Sequence, residues 1–236
     1  MIIRVNILLE KPEIVKDYRP AFVSLLKSIL SKNYPDVYQR MYCQGARQKS
    51  FTFSVGFSHP KFEENKIQLG NTSISFCISA DEEADNLVFY NAFTKHKGQY
   101  FPLADQNQMK IERIEIRPTS RITDSAVLIK FLSPLVVRQH IKGEKDRYFV
   151  YGEESFVPCL NESLKYRTGS DTNVRLEAVE MKKTVVPAFG IKIRSTIGTF
   201  RLSGYPAILD YLQDGGIGSR RSEGFGMFEV IGRPHD

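Results

Sequence analysis

Two tandem α+β units, each in the order β-α-β-β-α-β, are what this sequence predicts, and three patterns carry the prediction. Runs of period-two alternation recur along the chain, apolar residues at helical spacing stand between them in both halves, and one polar stretch without apolar period, Pro118 to Asp124, interrupts the series near its middle. This order is the ferredoxin-like, or split βαβ, unit.

The chain opens on a strand, because Met1 to Leu9 places Ile3, Val5, Ile7 and Leu9 on one face. From about Arg19 to Lys32, Phe22, Val23, Leu25, Leu26, Ile29 and Leu30 recur at helical spacing until Asn33-Tyr34-Pro35 ends the run. Phe51 to Phe57 and Ser73 to Ser79 alternate as strands. Asp81 is placed to cap a helix running to about Lys95, and Met109 to Ile116 alternates again. A boundary near 120 then gives domains at 1–118 and 125–236. Ala126 to Phe131 restarts a strand, Glu153 to Arg167 has a helical pattern, and Val174 to Phe200 holds several strand-like runs. Pro206 to Leu212 is a short helix and Phe225 to Ile231 a closing strand, so the second half approximates the first without a visible sequence repeat.

Composition bounds the function classes. A hydrophobic share of 42% with 25% charged residues suits a folded globular chain and excludes long disordered tracts. The net charge of +6, with a pI near 9.1, is compatible with a polyanionic partner without requiring one. Cys43, Cys77 and Cys159 lie far apart and show no C-x-x-C spacing, which points to a reducing compartment and no structural zinc. The apolar start is interrupted by Arg4 and Asn6 and is too short for a signal or a membrane span, so a cytoplasmic protein without membrane association is expected.

The most informative segment is Gly216-Ile217-Gly218-Ser219-Arg220-Arg221-Ser222-Glu223-Gly224-Phe225-Gly226, where glycine pairs enclose two arginines and two serines. Without Cβ atoms the glycines reach positive φ, so backbone N–H groups, the Ser219 and Ser222 hydroxyls and a guanidinium of Arg220 or Arg221 are able to converge on phosphate oxygens. A plain glycine-rich hairpin is the alternative. A dinucleotide fingerprint does not fit, because the glycine after Gly218 comes six positions later, at Gly224, and a strand follows. No Gly-Lys-Ser/Thr occurs, and the histidines at 59, 96, 140 and 235 lack metal-site spacing.

The loop resembles the G-h-G-x-[KR]-x-x-x-G-h-G signature of the CRISPR repeat-processing endoribonucleases, through Gly216, Ile217, Gly218, Arg220, Gly224, Phe225 and Gly226, and it stands just before the last strand as it does there. Leu132-Ser133-Pro134-Leu135-Val136-Val137 resembles that family's strand-to-S-P junction, and Lys49-x-Phe51-Thr52-Phe53-Ser54 its K-x-F-T-[FY]-S element. The resemblance spans nearly the whole chain and implies the tandem ferredoxin-like (RRM-like) architecture of the repeat-associated RNA-binding, or RAMP, superfamily.

What the resemblance implies is a reaction needing neither metal nor cofactor, in which a 2′-OH attacks the adjacent phosphate and leaves 2′,3′-cyclic phosphate and 5′-OH ends. A base, an acid and a source of positive potential are required. Members commonly place a histidine six residues before the lysine; here that position is Cys43, and Met1 to Ser58 holds no histidine. Lys49 carries over as phosphate stabiliser or proton donor, and Tyr42 and Tyr38 stand nearby, with packing or base stacking as their ordinary alternative. Phenols of ordinary pKa are poor bases at neutral pH. Cys43 itself reads as a small buried residue, and His59 is the one histidine close in sequence.

The implied partner is CRISPR repeat RNA held by the glycine loop and by the cleft between the domains, with further subunits of a CRISPR effector complex as additional candidates and a monomer or homodimer as the assembly. Beside Gly216, Gly218, Ser219, Arg220, Arg221, Ser222, Gly224 and Gly226, the candidate RNA contacts are Arg40 and Arg47 near the cleavage site and Lys183 in a basic stripe with Lys182, Lys192 and Arg194. Two alternatives stand beside cleavage. One is a non-cleaving repeat-RNA binder or complex subunit that lacks the histidine; the other is a generic RNA-binding tandem ferredoxin-like protein.

Overall fold

The computed structural model describes residues 1–45 and 48–233, in two compact units. The first holds Met1–Ser50, Ser54–Thr119 and Pro187–Ile191; the second holds Phe51–Phe53, Ser120–Val186 and Lys192–Asp236.

In the first unit the elements are β1 (Ile2–Leu9), β2 (Glu13–Val15), α1 (Arg19–Asn33), α2 (Pro35–Tyr38), a π-helical turn (Gln39–Cys43), β3 (Phe51–Phe57), β4 (Lys61–Phe62), β5 (Lys66–Gln68), β6 (Ser73–Ala80), α3 (Glu83–Lys95), β7 (Tyr100–Pro102) and β8 (Gln108–Arg117). The main sheet runs β3-β6-β1-β8-β7, and β1 pairs antiparallel with both β6 and β8. Its first four strands therefore have the split βαβ order. The alternation in β1 does what period two requires, burying Ile3, Val5 and Ile7 completely. Helix α1 carries Pro20 in its first turn, which its fixed φ suits, and buries Phe22, Leu25, Leu26, Ile29 and Leu30. Phe22 stacks on Phe76 of β6 at 5.4 Å, and Phe93 of α3 meets the same ring at 5.7 Å. Asp81 does not cap α3: Glu82 is the N-cap residue, no side chain caps the helix, and the Asp81 amide instead donates to the Ser50 carbonyl. A small sheet, β2-β5-β4, was not visible in the sequence, because two- and three-residue strands carry too little period to register.

The second unit contains β9 (Ala126–Phe131), β10 (Val137–Gln139), β11 (Arg147–Phe149), α4 (Phe156–Thr168), β12 (Arg175–Ala188), β13 (Ile191–Ser203), α5 (Pro206–Gly215), a 3-10 turn (Arg221–Glu223) and β14 (Phe228–Gly232). Its sheet runs β12-β13-β9-β14, the same order as in the first unit. The expected strand-like runs over Val174 to Phe200 are two long strands, and the helix expected from Glu153 starts at Phe156. Phe131 meets Phe200 at 5.6 Å and Phe228 at 6.1 Å, both edge to face, over Phe156, Leu160, Leu164, Leu209 and Leu212. The polar segment after Pro118 forms no strand or helix, although Ile122 is buried and its amide donates to Asp210. No helix among the described residues is long and apolar enough to cross a membrane.

Candidate functional site

Two clusters matter, one in each unit. In the second, the glycine loop is a packed piece of backbone, and each of its glycines is required by contact. At Gly226 (φ +70°) a Cβ would fall 1.8 Å from the Ile217 carbonyl oxygen, and at Gly218 (φ +86°) one would fall 2.5 Å from the Val136 carbonyl oxygen. At Gly224 (φ +87°) it would enter the Phe53 ring at 2.6 Å, and at Gly216 (φ +75°) it would meet the Gly226 carbonyl oxygen at 2.7 Å. The left-handed conformation and the lack of room select glycine together.

The partners in these contacts are the other two segments singled out in the sequence. Thr52 donates its hydroxyl to the Phe225 carbonyl at 2.9 Å. The Met227 amide donates to the Ser133 hydroxyl at 3.0 Å, the Gly226 amide to the Pro134 carbonyl at 2.9 Å, and the Ser219 amide to the Val136 carbonyl at 2.8 Å. The strand entrance, the S-P junction and the glycine loop thus form one local structure, anchored by the buried Ile217, Phe225 and Met227.

Both loop arginines have partners within the protein. Arg221 is buried and donates to the Gly215 carbonyl, as needed to satisfy a guanidinium away from water. Arg220, in a left-handed conformation at φ +57°, pairs with Glu223 at 2.6 Å and approaches Asp146 at 3.7 Å, with its side chain 15% exposed. Those carboxylates and the Tyr148 ring, 5.7 Å away, are the neighbours of its charge. Asp146 also accepts from Arg138 at 2.9 Å and lies 2.8 Å from His140 Nδ1. The Ser219 and Ser222 side chains are neither buried nor fully exposed. Lys183 and Lys182 are exposed on β12, as is Lys192 on β13, whereas Arg194 is held by Glu153.

In the first unit the structure brings Tyr38, Tyr42 and Lys49 together. The two phenol rings are 5.6 Å apart, and the Lys49 ammonium lies 5.2 Å from the Tyr42 ring centroid. A residue not foreseen, Lys27 on α1, places its ammonium 5.3 Å from the same centroid. Lys27 falls on the exposed side of α1, and nothing in its sequence context separates it from a solvated helix lysine. The π-helical turn that carries Tyr42 buries Met41, and the Tyr42 hydroxyl is buried without a hydrogen-bond partner among the described residues. Burial pushes the Tyr42 phenol well up, and the neighbouring Tyr38 adds to the shift. The ionised form is disfavoured, so Tyr42 does not fit the role of base at neutral pH.

Three further expectations near this cluster are corrected or left aside. Arg40 is bound in a fork by the buried Asp85, which also accepts from Ser50 at 2.9 Å, so it ties the π-helical turn to α3. Cys43 is exposed, not buried, because the turn directs Met41 inward instead. His59 is exposed and hydrogen-bonded to its neighbour Ser58 at 3.1 Å. Arg47 and His235 lie outside the described residues.

Residues 114–230 match the family described as CRISPR associated protein Cas6, C-terminal. Among solved structures, a Cas6-related protein from Pyrococcus furiosus is similar at 21% identity and TM-score 0.84, covering 98% of each chain. A RAMP protein described as binding different RNA substrates is similar at 21% identity and TM-score 0.82, over 98% of this chain and 99% of that one. A Cas6 product complex is similar at 14% identity and TM-score 0.72, with the same coverage. At such identities these likenesses establish the fold. No curated protein sequence matches the chain.

Proposed function

We propose that the chain is a Cas6-family, RAMP-superfamily protein, as the match of residues 114–230 supports, and that it binds precursor CRISPR RNA and cleaves it within the repeats, leaving 2′,3′-cyclic phosphate and 5′-OH ends. The observation that carries this is the convergence of three segments, Phe51–Phe53, Ser133–Val136 and Gly216–Gly226, on one loop, with Lys49 two residues before Phe51 along the chain and stacked on Tyr42. That the structures similar to it include an RNA-binding RAMP protein and a Cas6 product complex supports the same substrate class.

The chemistry follows from the side chains at hand. The 2′-oxygen forms a bond to phosphorus as its proton passes to water, the bond from phosphorus to the 5′-oxygen breaks, and the 5′-oxygen takes a proton from the Lys49 ammonium, which water then restores. Lysine also offers positive charge to the oxygens on which negative charge develops. Tyr42, held neutral, is suited to donate a hydrogen bond and not to remove a proton. Substituting Lys49→Ala is expected to slow single-turnover cleavage by about 10²-fold or more while changing RNA affinity by less than about fivefold. Equal losses in both would reject the catalytic assignment.

A second reading, repeat-RNA binding without cleavage, is favoured by one observation: Cys43 stands where the resemblance places the proton-transfer histidine, and burial raises the adjacent Tyr42 phenol, so that phenol does not replace the histidine as base.

A further inference from the structure

We infer that Lys27 and Lys49 form a two-cation site on the face and rim of Tyr42 that holds one phosphate of the bound RNA, making Lys27 a substrate-contacting residue. The inference rests on RNA as the substrate but not on its cleavage.

Lys27 and Lys49 lie 5.3 and 5.2 Å from one ring centroid, so the ammoniums are no more than about 10.5 Å apart. Two like charges over one aromatic ring repel, and the ring quadrupole offsets only part of that. Among the described residues Lys27 has no carboxylate within ion-pair distance, unlike Lys66 with Glu13 or Lys165 with Asp171. Single lysines lie over single tyrosines elsewhere in the unit, Lys95 over Tyr34 at 4.8 Å and Lys110 over Tyr100 at 5.2 Å, so the doubling is specific to Tyr42. At the same ring the Tyr42 hydroxyl is buried with no acceptor or donor among the described residues. An anion that also accepts a hydrogen bond answers both the Lys27 charge and the Tyr42 hydroxyl, and a phosphodiester carries two non-bridging oxygens for that purpose. Lys27 then neutralises the non-bridging oxygens while Lys49 faces the leaving oxygen.

The test uses the protein and two forms of a CRISPR repeat RNA: the natural one, and one with 2′-fluoro in place of every 2′-hydroxyl, which has no nucleophile. For Lys27→Met the slope of log affinity against log salt on the 2′-fluoro RNA is expected to become shallower by about 0.7, the value of one lost phosphate contact on a single strand. Single-turnover cleavage of the natural RNA is expected to fall by about 10²-fold, with Lys27→Arg restoring it to within about threefold of wild type. Lys95→Met, one lysine over one ring, should change neither. An unchanged slope for Lys27→Met overturns the inference whether or not RNA is cut. A wild type that binds yet leaves the natural RNA intact overturns cleavage, and the slope alone then decides Lys27. Absence of RNA binding by the wild type sinks both.

Discussion

Replacing Gly226 by alanine is expected to be far more destabilising than the same change at Gly169, although φ is +70° at one and +75° at the other. The left-handed conformation alone costs alanine about 1–2 kcal/mol. That is all Gly169 faces, because nothing lies within 4 Å of its added Cβ. At Gly226 the added Cβ falls 1.8 Å from the Ile217 carbonyl oxygen, where real Cβ atoms stay beyond 3.0 Å, so the two segments must separate by more than an ångström. Separation breaks the 2.9 Å bond from the Ile217 amide to the Gly226 carbonyl, worth about 1 kcal/mol net. It also loosens Ile217 and Phe225, both fully buried, for about 2 kcal/mol more. The expected totals are about 4–5 kcal/mol for Gly226→Ala and about 1–2 for Gly169→Ala, against a whole-domain stability of about 5–15. Urea unfolding followed by far-UV circular dichroism reads this, since the chain has no tryptophan. With a slope of about 2 kcal/mol per molar urea, the two midpoints should differ by about 1.5 M. Midpoints within about 0.3 M of each other would refute the claim that contact, beyond conformation, selects glycine there.

Tyr42→Phe should leave stability at pH 7 unchanged or raised, because it removes a buried hydroxyl that has no partner, yet it should weaken RNA processing. Its raised folded pKa adds a sign: stability is fully present below the ordinary tyrosine pKa of about 10 and is lost as pH climbs above it, since the unfolded chain ionises first, so the wild type should lose more stability than Tyr42→Phe between about pH 10 and 12 in urea titrations. Arg40→Ala leaves Asp85, 1% exposed, with Ser50 alone, and with Arg40 partly in solvent the expected loss is about 2 kcal/mol; a double-mutant cycle with Asp85→Ala should show the coupling. Arg220→Ala is expected to lower stability and weaken RNA binding without altering the salt slope, because Glu223 holds the guanidinium; a slope shallower by about 0.7 would show that it leaves Glu223 for phosphate.

The strands and helices with clear periods were legible from the sequence, because alternation in β1 and helical spacing in α1 reflect burial against a single layer. The two-residue β4 and the three-residue β2 and β5 were not, being too short to repeat the strand period. The glycine loop was legible as unusual, but its tight packing was not: the same absence of Cβ that admits a phosphate admits Phe53 and the carbonyl oxygens of Ile217 and Val136, and only coordinates show the latter contacts. Arg40 looked available because Asp85 lies 45 residues away in sequence; Arg220 is held chiefly by Glu223, only three residues on, with Asp146 74 residues back. Tyr38, Tyr42 and Lys49 converge as a short segment permits, whereas Lys27 needed the helix face to bring it over the ring.

The measurement that bears most directly on function is incubation of end-labelled repeat RNA with the protein in EDTA, followed by analysis of the product termini. One cut per repeat, a 2′,3′-cyclic phosphate upstream and a 5′-hydroxyl downstream are the expected result. Tight binding that leaves every repeat intact would contradict cleavage and establish the chain as a repeat-RNA binder.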